Sequence, residues 1–219
     1  VGSEMCIRDR VSVLAVYMLV STGLQMIPNV LNTGLQAVFG RQIAECDYEA
    51  LRASYKPYRA LVYAVSAVAC GCAFSLILPF VDLYAGGFHD VNYHNALLGF
   101  LIVMNVFLFH GKSSQGLLVI AAGMYRETRV QTCLQAAIII VLGVPLTISF
   151  GVVGTIAASC VSNLYRVIDL LFYEPLKISQ DSLSSSFKSF GLYVLQAALV
   201  ALPGCLLARF AVSWAGWVA

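Results

Sequence analysis

The chain has 219 residues, of which 60% are hydrophobic and only 11% charged, with a formal net charge of +2 and a mean hydropathy of +0.84. Soluble domains carry about 25% charged residues, so an ordinary water-soluble domain is excluded, and near-neutral charge without a basic cluster excludes nucleic acid as a partner. What remains is an all-α integral membrane protein, because the apolar runs reach the roughly 20 residues that a helix needs to cross a bilayer.

Val1–Arg10 reads VGSEMCIRDR and has neither a signal-peptide apolar core nor a helical period. Back-translating Met5–Asp9 and the next two bases can give ATG TGT ATA AGA GAC AG, which resembles a transposon end used to prepare sequencing libraries. Residues 1–10 are therefore expected to be adapter read-through, absent from the natural protein and without fixed packing. The natural chain is then cut just before Val11, leaving a fragment.

The first predicted span covers residues 11–39. Pro28 lies inside it, removes a backbone donor and predicts a kink. Gln25, Asn29, Asn32 and Gln36 recur at spacings of four, three and four, which puts amides on one helix face. Two readings stay open for that face: hydrogen bonding between helices, at about 0.6 kcal/mol each, or a cavity wall that meets polar substrate groups. A hydrophilic segment, Arg41–Arg59, follows, and the second span covers residues 60–84.

The turn from Pro79 to Asn95 carries no Lys or Arg. The third span, residues 96–122, holds His110 and Lys112 near its middle. A charge at the centre of a membrane helix costs roughly 2.5–3.5 kcal/mol on insertion scales, so Lys112 requires a partner or a watery cavity. Snorkelling to water is hard from mid-span. His110, two residues away, faces another direction and reads as a packed polar residue. Residues 132–150 form the fourth span, and Ser149–Gly151 is a short hinge to the fifth, residues 152–172. Arg166 and Asp169, three apart on that fifth span, can pair on one face. Tyr173–Ser189 is polar and Ser-rich, and the sixth span covers residues 190–217, with Pro203 near its middle and Trp214 and Trp217 as interfacial anchors.

Segments after spans one, three and five carry Lys and Arg; those after spans two and four carry none. The positive-inside rule makes the basic segments cytoplasmic and Asp90–His94 external. Seven cysteines, at positions 6, 46, 70, 72, 133, 160 and 205, are scattered as small apolar residues rather than as metal ligands or a disulfide frame. No nucleophile elbow, HExxH or phosphate-cradling glycine loop is present, and no metal or cofactor is expected.

From Val13 to Ile178 the chain resembles polysaccharide flippases of the multidrug/oligosaccharidyl-lipid/polysaccharide exporter superfamily. The resemblance rests on VYMLV at Val16–Val20, Pro28, GLQAVFGRQ at Gly34–Gln42, PFVDLY at Pro79–Tyr84, DVNY at Asp90–Tyr93, AAGMYRET at Ala121–Thr128, GVVGT at Gly151–Thr155 and Tyr165–Arg166. It departs from the family where Ser113 and Ser114 replace a Pro close after Lys112, and where Gln135 and Ile139 stand for a Glu and an Asn.

The resemblance implies six transmembrane helices, mostly the second bundle of a 12–14-helix two-bundle transporter in a bacterial cytoplasmic membrane, inactive alone. It implies export of undecaprenyl-pyrophosphate-linked oligosaccharide by alternating access, with membrane lipid and polysaccharide polymerase or assembly proteins as partners. Lys112 and Arg166 would hold the pyrophosphate; Gln25, Asn29 and Asn32 would face the sugars. Two alternatives remain: a drug/cation antiporter of the same superfamily, which needs a cavity carboxylate, and a non-transporting scaffold of a polysaccharide assembly complex, with its cavity filled by apolar side chains. A membrane glycosyltransferase fits less well, because no acidic catalytic pair faces the cytoplasm.

Overall fold

The computed structural model describes the backbone of residues 2–85 and 95–218 and the side chains of residues 12–26, 28–84 and 95–205. It is all-helical, 91% helix. The elements are α1 (Gly2–Ala44), α2 (Tyr48–Ala85), α3 (Ala96–Ala121), α4 (Arg129–Phe150), α5 (Val152–Lys177) and α6 (Leu183–Val218). All six are long and apolar enough to cross a membrane. The six prolines all lie inside helices, which membrane helices tolerate because neighbours re-satisfy the freed backbone groups.

The expected spans are all present, but their ends differ. α1 begins at Gly2, so no backbone break marks Val11, and the side-chain packing of residues 1–10 lies outside the described residues. The expected polar segment Arg41–Arg59 is mostly helix, with only Glu45–Asp47 between α1 and α2. Its charges hide an apolar stripe: Leu51, Tyr55, Tyr58 and Val62 recur at helical spacing and are all buried. The Asp47 carboxylate starts α2 by accepting the Ala50 N–H at 3.0 Å. The expected loop Tyr173–Ser189 likewise shrinks to Ile178–Ser182, because Glu174 and Pro175 are buried and continue α5. α4 also starts earlier than expected, at Arg129.

α3 is central and packs against α1, α2 and α5; α2 also runs along α6, and α4 along α5. Three apolar clusters lie end to end along the helices. One joins Val13, Tyr17, Ile77 and Leu98; the next joins Tyr63, Phe107 and Tyr193; the last, at the Lys- and Arg-rich end, joins Phe39, Leu51, Tyr55 and Leu118. α4 buries no residue and exposes Ile140, Val141, Ile148 and Phe150, a face suited to hydrocarbon. The α4–α5 corner depends on two glycines. Gly151 takes φ 61°, a left-handed conformation open to glycine, and a Cβ on Gly154 would sit 1.9 Å from the Leu146 carbonyl oxygen.

The orientation can be tested by cysteine labelling. The residues of the expected outer turn, His89, Asn92 and His94 among them, lie outside the described residues, as do the Trp214 and Trp217 side chains. At the opposite end Ser54, the obvious probe position, is half-buried and donates to Gln42 Oε1 at 2.9 Å, whereas Ala53 is exposed. An impermeant maleimide added outside intact cells is expected to label Asn92→Cys and spare Ala53→Cys. The reverse pattern would invert the topology.

Candidate functional site

Lys112 sits nine residues before Ala121, the last residue of α3, or about 14 Å from that end at 1.5 Å per residue. It is half-buried, and its ammonium donates to Asn163 Oδ1 on α5 at 2.6 Å and lies 5.4 Å from the Phe109 ring centroid. Asn163 is itself held: its amide nitrogen donates to Asn105 Oδ1 at 2.7 Å, and its oxygen also accepts from Gln135 Nε2 at 3.4 Å. A chain of amides thus crosses from α3 through α5 to α4. Among the described residues no carboxylate pairs with Lys112.

Arg166 lies one turn beyond Asn163 on α5 and pairs with Asp169 Oδ2 at 2.7 Å, as the spacing in sequence predicts. Both Lys112 and Arg166 line one open cavity of about 520 Å³, together with Asn29, Asn32 and Gln36 of α1 and Thr132 and Gln135 of α4. Two cations against one carboxylate leave the cluster one positive charge in excess. Among the described residues, the cavity wall mixes apolar side chains such as Phe109, Leu117, Ile120 and Leu170 with amides, hydroxyls and these two cations, and holds no carboxylate.

The amide stripe of α1 divides. Asn29, Asn32 and Gln36 reach the cavity, whereas Gln25 lies off its wall and donates to Ser21 Oγ at 3.1 Å. Gln25 is thus not among the residues that line this cavity. Asn32 serves both readings of the stripe: its oxygen accepts from the Tyr58 hydroxyl, its nitrogen donates to Ser113 Oγ at 2.9 Å, and its side chain still borders the cavity. Asn29 is exposed and is the freer of the two. His110 does not contribute: it is fully buried, with Nδ1 at 2.8 Å from Ser66 Oγ.

Two members of the amide chain, Asn105 and Asn163, escape the sequence reading. Asn105 stands seven residues before Lys112 and Asn163 three before Arg166, so each shares a helix face with a cation, and that spacing was the available signal. No family model, curated protein or solved structure matches the chain.

Proposed function

We propose that the chain is the second-bundle part of a membrane flippase that moves undecaprenyl-pyrophosphate-linked oligosaccharide from the inner to the outer leaflet of a bacterial cytoplasmic membrane. The observation that carries the reading is the cavity shared by Lys112 and Arg166, with one cation held by an amide instead of an acid. A membrane cation without a counter-charge is costly, and a pyrophosphate in the cavity offsets that cost through charge-assisted hydrogen bonds. The amides and hydroxyls of Asn29, Gln36 and Thr132 suit the sugar that follows.

The absence of a carboxylate from the described cavity wall favours an anionic ligand over the cation of a drug antiporter. The open volume favours transport over a scaffold whose interior is filled by apolar side chains. Cavities of this class are shared between two bundles, so the full activity is assigned to the two-bundle protein, working beside polymerase and assembly proteins.

Thr132 is exposed on the cavity wall and gives a direct probe. In a chain with its native cysteines replaced by serine and held in lipid nanodiscs, a maleimide is expected to modify Thr132→Cys. A short prenyl pyrophosphate should slow that reaction, while tetraphenylphosphonium leaves it unchanged. Protection by the phosphonium alone would move the assignment to a cation antiporter.

A further inference from the structure

The cavity that holds Lys112 continues towards the Lys- and Arg-rich end of the bundle. Phe109, Lys112, Gly116 and Ile120 line it at spacings of three and four, so one face of α3 forms its floor. Thr33, Gln36 and Ile120 also border a second recess, of about 350 Å³, that reaches Gly40 of α1 and Ala121, the last residue of α3. Tyr125 lines the cavity at this end.

The turn after α3 puts it there. Gly123 takes φ 66°, its N–H donates to the Ile120 carbonyl at 3.1 Å, and the Met124 N–H donates to the Val119 carbonyl at 3.2 Å. That reversal lays Met124 against the apolar cluster of Phe39, Tyr55 and Leu118, where its sulfur accepts from the Tyr173 hydroxyl at 3.9 Å. Tyr125, next in the chain, is left 62% exposed. Among the described residues no hydrogen bond or ring contact holds its side chain. A tyrosine that anchors a helix end at the membrane interface faces lipid headgroups; Tyr125 instead shares the cavity wall with Thr128 and Thr132.

Lys112 lies about 14 Å before the end of α3 at 1.5 Å per residue, and Tyr125 lies beyond that end. A pyrophosphate on the Lys112 ammonium therefore stops short of the Tyr125 ring, and what covers the ring is a group attached to it. Of the two groups that a lipid-linked oligosaccharide offers, the prenyl tail belongs in hydrocarbon, whereas this end of the cavity carries Thr33, Gln36 and Thr132. Thr33 and Thr132 give their hydroxyl protons to the Asn29 and Thr128 carbonyls, at 2.8 and 2.9 Å, and so present acceptors; Gln36 carries an acceptor and donors. A sugar matches both parts of this surface. Its hydroxyls donate to the acceptors, and its C–H face, slightly positive, meets the negative face of the tyrosine ring.

We propose that Tyr125 is the platform on which a sugar ring of the ligand stacks, with the pyrophosphate at Lys112 and the saccharide extending to the Lys- and Arg-rich mouth of the cavity. The proposal rests on the flippase reading and adds to it a residue and a direction.

Two ligands test it by calorimetric titration into the chain in nanodiscs: a short prenyl pyrophosphate, and the same compound carrying a disaccharide of N-acetylglucosamine. The disaccharide is expected to strengthen binding several-fold in the parent chain and in Tyr125→Phe. Tyr125→Ala should cancel that gain and leave the affinity for the bare pyrophosphate unchanged. Lys112→Gln should weaken both ligands alike and keep the gain. A parent chain that binds both ligands equally, or a gain that survives Tyr125→Ala, would overturn the proposal and leave the pyrophosphate assignment standing. Equal weakening of both ligands by Tyr125→Ala would also overturn it, since the ring would then serve the tail or the shape of the cavity. No saturable binding of the bare pyrophosphate by the parent chain would overturn the flippase reading, and the proposal with it.

Discussion

Lys112→Gln is expected to abolish export by the two-bundle protein while leaving its insertion and abundance unchanged. Glutamine keeps most of the length and the polarity of lysine and can still donate to Asn163 Oδ1, which accepts the Lys112 ammonium at 2.6 Å. The substitution therefore removes the charge and little else. Loss of one charge-assisted hydrogen bond costs about 1.5–3 kcal/mol, or roughly 10–150-fold in affinity for the pyrophosphate. Lys112→Arg restores the cation and should keep much of the activity, less whatever the wider guanidinium disturbs around Asn163 and Phe109. The measurement is complementation of cells that lack their own flippase, read as surface polysaccharide. Normal export by the Gln variant would make Lys112 a structural residue.

Arg59→Met is expected to give the largest loss of stability. Arg59 and Glu174 are 3% and 0% exposed at their side chains, so removing the cation leaves a carboxylate with neither water nor counter-charge. Breaking a buried pair from one side costs about 3–5 kcal/mol. Arg59 also satisfies Ser186 and Ser189, so the ends of α2, α5 and α6 lose their common tie. The double variant Arg59→Met with Glu174→Met removes both charges and should regain most of the loss, since apolar replacement of a whole buried pair is often neutral. Thermal unfolding in detergent, followed by loss of monodisperse protein, measures both variants against the parent chain. Equal loss in the single and double variants would show that the pair acts through its serines and not its charge.

The six helices were legible because long apolar runs leave few other structures possible in a membrane. Their ends were not. Arg59 and Glu174 each read as loop charge, because the partner that makes each tolerable inside the bundle lies on a different helix and no local pattern connects them. Hydropathy alone thus clipped α2 at its start and α5 at its end. In the candidate site, the pair Arg166–Asp169 was legible from a spacing of three on one helix. Convergence of Lys112 with Arg166 rested on resemblance, and the residue that holds Lys112, Asn163, carries no charge or motif to attract notice. Gln25 obeys the period of the α1 amide stripe, yet it lies off the cavity wall and donates one turn back, to Ser21.

The central claim is that an excess cation in the cavity selects an anionic lipid. Calorimetric titration of a short prenyl pyrophosphate into the chain in nanodiscs, beside Lys112→Gln in the same lipid, addresses it most directly. The account predicts saturable binding that weakens by about tenfold or more in the Gln variant and disappears when the matching prenyl alcohol replaces the pyrophosphate. Equal affinity of the two proteins, or equal binding of the alcohol, would contradict it.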